Sequence, residues 1–346
     1  MEQKTKSKGR KIFLWVILFM LLVAIAAAVA VKKTVFKPFD LEETAYIYID
    51  GEKEYEDVIA QLKKAGLPSE QLFRILAERM KYPGNVKTGR YAVEKGSTMP
   101  DVIRMLRAGN QTPVKLTFNN VRTKEELAGR VSRQLMMDST LLVGALNDPA
   151  TIGELGFDTY TLSALFIPNT YEIYWDTSID NFLKRMRKEY DRFWNDERRS
   201  KAEKIGLSPI QVATLASIVE EEATYIDEYP IVAGLYLNRL KRGMRLEADP
   251  TVKFAVGDFT LRRILFRHLE VESPYNTYKN GGLPPGPIRI PSIQAIEGTL
   301  SPQQHNYLFM CAKDDLSGRH NFATTHAEHA RNAARYQRAL NERGIF

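Results

Sequence analysis

The sequence predicts an α+β protein with an N-terminal transmembrane helix, a small βααβ module and a larger α+β domain. Three observations predict this arrangement. Ile12 to Val31 is a run of 20 residues without a charge, which as a helix spans ~30 Å, the thickness of a bilayer core. A strand, two helices and a second strand are then predicted in close succession. Strand and helix patterns continue from there to the C-terminus.

The charges around the apolar run indicate its orientation. Five basic residues precede the run, and the positive-inside rule keeps that end in the cytoplasm, although three lysines also follow it. A cleaved signal peptide is the alternative, since Ala28-Val29-Ala30 fits an A-x-A cleavage pattern; the run is, however, longer than a typical signal-peptide core. We expect a cytoplasmic tail over 1–11 and a single-pass helix over 12–31 in the cytoplasmic (inner) membrane. The remainder lies outside or in the periplasm under either interpretation.

Charge and cysteine content exclude some function classes. The net charge of +7 is concentrated near the N-terminus, because residues 1–33 hold seven Lys/Arg and one acid. The other residues number 42 basic and 41 acidic, so no charged footprint for nucleic acid is present. Cys311 is the only cysteine, and its apolar neighbours favour a core residue over a thiol nucleophile.

Two domains are predicted outside the anchor. Residues 32–112 comprise a linker and the small module, with strands at Ala45–Asp50 and Gly89–Val93 around helices at 54–65 and 69–80. Ser69 is the expected N-cap of the second of these helices, and another helix opens at Ser97/Thr98 and closes at Gly109. Residues 113–346 form the larger domain, which begins with a strand at Val114–Phe118 and a helix at Lys124–Leu135.

One helix of the larger domain carries the candidate chemistry. Ser208-Pro209 predicts its start, as a capping residue followed by proline in the first turn. At about 100° per residue, Glu222 falls on the apolar side, while Thr214, Ser217 and Glu221 fall together on the side expected to face water. A carboxyl among apolar groups loses solvation of its charged form, so its pKa rises and it can donate a proton near neutral pH. The alternative is that Glu222 ends a frayed helix and points into water.

Several sequence blocks in order resemble the endolytic murein transglycosylases, the YceG-like family. The blocks are Leu215-Ala-Ser-Ile-Val-Glu-Glu-Glu222, Asn238-Arg239, Gly243-Met-Arg-Leu-Glu-Ala-Asp-Pro-Thr-Val252, Pro274-Tyr-Asn-Thr-Tyr278, Gly282-Leu-Pro-Pro-Gly-Pro-Ile288 with Pro291, His320-x-Phe322 and Glu328-His329. The resemblance covers the whole chain, including tail and anchor. It implies that the small module is LysM-like and that 113–346 is the catalytic domain.

The resemblance implies a role for individual residues. Glu222 matches the family's catalytic glutamate, and Glu220 matches a supporting acid of the same block. The other residues that it places in supporting or substrate-binding roles are Asn238, Arg239, Asp249, Thr251, Tyr275, Asn276, Tyr278, His320 and His329. From the residues alone, Asp249-Pro250-Thr251 could equally be a helix N-terminus and Asn276-Thr277 a turn. The chain departs from the family pattern at Asn169, where Asp is usual, and at Ala223 and Glu247-Ala248.

The implied reaction is the non-hydrolytic cleavage of nascent peptidoglycan strands, which would terminate their elongation. It joins the 6-hydroxyl of N-acetylmuramic acid to C1 and leaves a 1,6-anhydro end. The implied partners are glycan strands, the membrane and peptidoglycan synthases. No cofactor is implied, and no metal site is expected, since His326 and His329 follow Thr325 in what reads as a capping box. Two other functions stay open: a non-catalytic glycan-binding scaffold and a hydrolase with the same target.

Overall fold

The computed structural model describes residues 3–261 and 263–344, with side chains from residue 11 onward. The described chain forms two compact units. The first runs to Val114 and includes Glu172–Asp176, and the second comprises Lys115–Tyr171 and the chain from Thr177 onward. Both units contain helices and strands, so the predicted mixture of the two is confirmed.

The first unit contains the predicted strand–helix–helix–strand order. In chain order its elements are α1 (Gln3–Val35), β1 (Ala45–Ile49), α2 (Tyr55–Lys64), α3 (Glu70–Arg79), β2 (Gly89–Val93) and α4 (Met99–Ala108). β1 and β2 pair antiparallel, from Ala45 opposite Val93 to Ile49 opposite Gly89. Their inward side chains and the apolar faces of the helices form one core, which includes the fully buried Leu62, Phe73 and Tyr91. The likeness of this module to LysM stays a prediction.

Helices α3 and α4 of this unit begin or end at the capping residues that the sequence predicts. The Ser69 hydroxyl accepts the Leu72 N–H at 3.4 Å, as predicted for the N-cap of α3. Thr98 and Asp101 form a reciprocal capping box at the start of α4. Gly109 ends α4 in the left-handed conformation at φ 78°, which glycine adopts without a Cβ penalty.

A segment from much later in the chain completes the first unit. Asp176 accepts hydrogen bonds from the Thr88 hydroxyl at 2.6 Å and from the Gln111 amide at 3.0 Å. The Trp175 ring meets the Tyr48 ring edge to face, with centroids 5.1 Å apart. These contacts are long-range in sequence, and for this reason no local pattern near residue 172 predicts them.

The N-terminal helix α1 contains the apolar run. Lys11–Val35 is long and apolar enough to cross a membrane, by length and composition. Its side chains are exposed along Ile12–Val31, as an anchor in lipid requires. A signal sequence meets the same two criteria, so the helix by itself is weak evidence of an anchor.

The second unit is mainly helical with two small sheets, apart from the strand residues Val114, Glu172 and Ile173, which belong to the first unit. Its elements are β3 (Val114–Phe118), α5 (Lys124–Ser132), α6 (Ser139–Ala145), α7 (Pro149–Glu154), β4 (Asn169–Ile173), α8 (Ile179–Phe193), α9 (Asp196–Lys204), α10 (Pro209–Glu222), α11 (Tyr229–Lys241), α12 (Asp249–Val256), α13 (Phe266–Leu269), α14 (Ile293–Leu300), β5 (Phe309–Ala312), β6 (His320–Ala323) and α15 (His326–Glu342). β3 pairs with β4, and β5 pairs antiparallel with β6.

Helix α10 lies at the centre of the second unit, packed against α9, α11, α12 and α14. It begins as predicted, because Ser208 caps it and Pro209 follows. The prediction that Thr214 and Ser217 face water is wrong, since both are buried. The Ser217 hydroxyl accepts the Ile288 N–H at 3.0 Å, and the two hydroxyls donate to backbone carbonyls of α10. These polar side chains are therefore satisfied inside the protein and not by solvent.

The loop between α13 and α14 passes so close to the rest of the unit that one glycine is required. A Cβ on Gly286 would lie 2.0 Å from the Tyr160 carbonyl oxygen. We expect Gly286→Ala to lower the free energy of unfolding by about 1–3 kcal/mol, because backbone must move to admit the methyl group. Gly144→Ala is the matched control: this site in α6 has open space, and alanine favours helix by up to about 1 kcal/mol. Thermal melting compares them; equal midpoints would contradict the prediction.

Candidate active site

Glu222 is the last residue of α10, at the point where the chain leaves the helix. Ala223 is extended, with φ −104° and ψ 130°, and after a turn at Ile226–Glu228 the chain enters α11. The Tyr236 hydroxyl, on α11, donates a hydrogen bond to Glu222 Oε1 at 2.8 Å. Tyr236 is 2% exposed and Glu222 is half-buried. The carboxyl is thus fixed by a neighbouring helix and does not swing into open solvent.

The surroundings of Glu222 favour its protonated form. Burial raises the pKa of Glu222 to about 7, the Tyr236 hydrogen bond opposes the rise, and the charges of Asp249 and Glu221 add to it. Burial also raises the pKa of the Tyr236 hydroxyl, so this group stays a donor. A carboxyl that titrates near neutral pH can both give and take a proton there.

Glu222 opens into a polar cleft of about 250 Å³, which we call the narrow cleft. Its lining consists of Glu222, Leu235, Tyr236, Arg239, Leu246, Glu247, Asp249, Tyr278, Leu308, Met310, Cys311, Ala312 and His320. On its wall the Tyr278 hydroxyl donates to Asp249 Oδ1 at 2.7 Å. A cleft lined by carboxylates, hydroxyls and an imidazole suits a ligand rich in hydroxyl groups.

A second and larger cleft of about 840 Å³, the wide cleft, shares Glu222 and Asp249 with the narrow one. Its other lining residues are Glu221, Pro250, Lys253, Leu261, Arg263, Ile264, Tyr336, Gln337 and Leu340. The two carboxyls therefore lie where the two clefts meet. An extended ligand in both clefts would pass Glu222 at its middle.

A buried carboxylate fixes His320 at the narrow cleft. Glu228 is 4% exposed and accepts the His320 backbone N–H at 3.0 Å and ring Nδ1 at 2.9 Å. His320 Nδ1 is thus engaged by Glu228, and Nε2 is the other ring nitrogen. Glu228 was not predicted, although a glutamate shortly before a helix start could have been a signal. Tyr236 was also missed; it lies two residues before the Asn238-Arg239 block.

The two other acids at the end of α10 are engaged elsewhere. Glu221 accepts hydrogen bonds from Arg122 at 2.7 Å and from Arg289 at 2.6 Å. Glu220 accepts the Ser292 N–H at 2.7 Å and lies 3.6 Å from Arg289. The consecutive acids would be unfavourable at a helix C-terminus without such partners. The arginines neutralise this pair, and of the three acids that end α10 Glu222 is the one that lines both clefts.

The structure brings some of the predicted site residues together and places the rest beside them. Arg239, Asp249, Tyr278 and His320 line the narrow cleft with Glu222. The other six predicted residues lie outside the lining of both clefts: Glu220, Asn238, Thr251, Tyr275, Asn276 and His329.

All six of these outer residues have structural hydrogen bonds or ring contacts, and for Tyr275 these are with Tyr160 and Phe254. Asn276 is fully buried and donates to the Leu269 and Val271 carbonyls, and Thr251 Oγ1 donates to the Ala248 carbonyl. Asn238 donates to the carbonyls of His305 and Tyr307, and the His329 ring stacks on Phe309. Their effect on a ligand would be indirect.

Two further expectations need correction. Cys311 is half-buried and lines the narrow cleft, so it is not a core residue; burial raises the pKa of its thiol, which disfavours the thiolate. Thr325 caps α15 as predicted, but the Glu328 carboxylate accepts the N–H of Thr324 and not that of Thr325.

Among the residues that the structure describes, no group of three His, Cys, Asp or Glu side chains could hold a metal ion.

The fold and the site together fit an enzyme that performs acid–base chemistry on a polar ligand. The chain belongs to the YceG-like family, whose model matches residues 47–335, so the resemblance is confirmed. The endolytic murein transglycosylase of Bacillus subtilis is 29% identical over 340 residues, with 92% of both chains covered. The one of Streptococcus pneumoniae D39 is 26% identical over 332 residues, which cover 86% of this chain and 60% of the relative.

A solved structure has the same fold. The crystal structure of a YceG-like protein from Listeria monocytogenes superimposes with a TM-score of 0.55 at 25% identity. The match covers 84% of this chain and 99% of the Listeria chain.

Proposed function

We propose that this chain is an endolytic lytic transglycosylase that cleaves the β-1,4 bond between N-acetylmuramic acid and N-acetylglucosamine, with Glu222 as its acid and base. The observation that carries the proposal is the half-buried Glu222 carboxyl at the junction of the two clefts, whose pKa burial raises to about 7. The names of the bacterial relatives support the substrate class.

The reaction needs one proton to move in each direction. Protonated Glu222 gives its proton to the bridging oxygen, the C1–O bond breaks, and N-acetylglucosamine leaves with a free 4-hydroxyl. The carboxylate then takes the proton of the muramic 6-hydroxyl, and O6 bonds to C1. Because the nucleophile belongs to the substrate, its effective concentration is already very high. Glu222 is then protonated again and ready for the next cycle.

The second carboxyl that the two clefts share, that of Asp249, makes a hydrolase the alternative reaction. Asp249 lines both clefts and accepts a hydrogen bond from Tyr278. A hydrolase uses a second carboxylate to direct water or to form a covalent intermediate. In the lyase reaction the same charge would stabilise positive charge that develops at C1.

Product analysis in ¹⁸O-labelled water separates the two reactions. Purified glycan strands are digested with the full-length protein, and the new ends are analysed by mass spectrometry. The lyase gives 1,6-anhydro ends without ¹⁸O, since no water enters. Incorporation of one ¹⁸O at each new reducing end would mean hydrolysis, and intact strands would reject both enzymatic functions in favour of a binding scaffold.

The apolar helix α1 supports a location of this activity at the cytoplasmic membrane. With α1 as an uncleaved single-pass anchor in the cytoplasmic membrane, the catalytic unit would lie outside, where new glycan strands emerge. Cleavage there would terminate strand elongation, and peptidoglycan synthases would be neighbours. Resistance of the mature chain to signal-peptide removal, measured by N-terminal sequencing, tests the anchor.

The proposed chemistry predicts a specific pH dependence. The first step needs protonated Glu222, so kcat/KM should fall about tenfold per pH unit above about 7. Tyr236→Phe removes a hydrogen bond that favours the carboxylate, so the pKa of Glu222 rises and the alkaline limb moves to higher pH. Tyr174→Phe, at an exposed tyrosine outside both clefts, is the control. An alkaline limb that stays in place or moves to lower pH in Tyr236→Phe would contradict the assignment.

A further inference from the structure

The wide cleft has a chemistry that differs from that of the narrow cleft. The narrow cleft presents hydroxyls, carboxylates and an imidazole beside apolar side chains, and its polar groups pair with sugar hydroxyls. Its cation, Arg239, is buried and already donates to Glu247 and to backbone carbonyls. The wide cleft adds two cations, Lys253 and Arg263, among aliphatic side chains such as Leu261, Ile264 and Leu340. Cations beside aliphatic groups suit a ligand that carries carboxylates and small apolar side chains.

Neither cation forms a close ion pair among the residues that the structure describes, although the charge of Lys253 acts on the Asp258 carboxylate at longer range. Arg122 and Arg289 already neutralise Glu221, which lines the wide cleft beside Glu222 and Asp249. Across the part of the chain that the structure describes, neither Lys253 nor Arg263 has an ion pair or a side-chain hydrogen bond. Lys253 is nevertheless half-buried on α12, and Arg263 is exposed. A half-buried, unpaired ammonium favours an anionic ligand, because the ligand would restore the solvation that burial removes.

We infer that the wide cleft is a subsite for the carboxylate-bearing peptide attached to muramic acid, with Lys253 and Arg263 as its anion-recognising residues; this rests on the proposed function. In peptidoglycan the peptide is linked to the lactyl group of the muramic residue, next to the scissile bond. Because the wide cleft shares Glu222 and Asp249 with the narrow one, a muramic residue at the junction could place its peptide there. Its aliphatic lining would contact the alanine side chains of such a peptide.

The test compares glycan strands that carry their peptides with the same strands after amidase treatment. We expect the full-length protein to cleave the peptide-bearing strands with a kcat/KM about tenfold higher, the effect of two charge-assisted contacts. In Lys253→Gln/Arg263→Gln this ratio should fall to about one. The control Lys188→Gln/Arg338→Gln removes two exposed cations outside both clefts, has the same net charge, and should keep the ratio. A ratio near one in the unsubstituted protein, or one that the Lys253/Arg263 pair does not change, overturns the inference.

A binding measurement separates this inference from the proposed reaction. A reduced disaccharide-tetrapeptide fragment and its peptide-free disaccharide are titrated into the same three proteins by calorimetry. We expect tighter binding of the peptide-bearing fragment, lost in Lys253→Gln/Arg263→Gln and weakened by salt. If no strand is cleaved but this difference persists, the subsite stands and the proposed reaction fails. Equal binding of the two fragments to the unsubstituted protein rejects the subsite.

Discussion

Replacement of Glu222 by glutamine is expected to lower kcat by about a thousandfold or more, with the glycan affinity nearly unchanged. Glutamine has almost the same shape and can still accept the Tyr236 hydrogen bond, but it can neither give nor take the proton. Both proton transfers of the proposed cycle are therefore lost together. Glycan cleavage by the full-length protein, followed as release of soluble fragments, measures the loss.

The control for this experiment must show that charge alone is not the cause. Glu203→Gln removes an exposed carboxylate of α9 that lies outside both clefts, and it should keep full activity. If Glu222→Gln keeps a tenth or more of the activity of the unsubstituted protein, Glu222 is not the catalytic acid. Asp249 would then be the next candidate.

The same substitution should stabilise the fold at alkaline pH. The pKa of Glu222 is about 7 in the folded chain and 4.5 as its ordinary value. Glu222 therefore holds its proton more tightly in the folded chain than in the unfolded chain. This difference stabilises the fold fully below pH 4.5, and the stabilisation is lost as the pH rises to about 7. Since one pKa unit equals about 1.4 kcal/mol, Glu222→Gln should gain on the order of 1–3 kcal/mol at pH 8. The gain should vanish at pH 4, and thermal melting at both values tests the sign.

Local signals in the sequence predict the elements well. Ser69, Thr98 and Ser208 each begin a helix at the expected place, because a capping hydroxyl acts on N–H groups only three residues away. The strands at residues 45 and 89 are likewise found because alternation is a property of a few neighbouring residues.

Long-range pairing is what the sequence does not reveal. The periodicity of α10 separates polar from apolar side chains, but Ser217 is polar and buried because Ile288, 71 residues later, supplies its partner. Tyr236 and Glu228 escaped prediction for the same reason, since each acts on a residue of another element. The family resemblance named Glu222, which lines both clefts, but also Asn276, which is fully buried. Which residues line the cleft thus depends on the packing of α10, α11 and α12.

Loss of the Arg289 guanidinium should lower the free energy of unfolding strongly. Arg289 is 7% exposed, donates to Glu221 at 2.6 Å, lies 3.6 Å from Glu220, and also contacts the Asn120 side chain. Arg289→Met would keep the packing of the aliphatic stem but leave two partly buried carboxylates at the end of α10 with less compensation. Breaking one side of a buried ion cluster typically costs 3–5 kcal/mol, and we expect a loss of about that size at pH 7.

A matched pair elsewhere in the same unit gives the control. Arg198 donates to Glu297 at 2.7 Å, but both side chains are more exposed, at 26% and 37%. Arg198→Met should cost at most about 1 kcal/mol, because water solvates the remaining carboxylate. If the two substitutions lower the free energy of unfolding by the same amount, the burial of the Arg289 ion pairs does not contribute to stability.

A double-mutant cycle then locates the interaction. In Arg289→Met/Glu221→Gln the uncompensated charge is gone, so part of the stability should return, with a coupling of about 1–3 kcal/mol. The same variants should also change the titration of Glu222. Without Arg289, Glu221 would add negative charge beside Glu222 and raise the pKa of Glu222 further. The alkaline limb of the pH–activity profile should therefore move to higher pH in Arg289→Met and move back in the double variant. A loss of stability without that movement would make the arginine a purely structural support of α10.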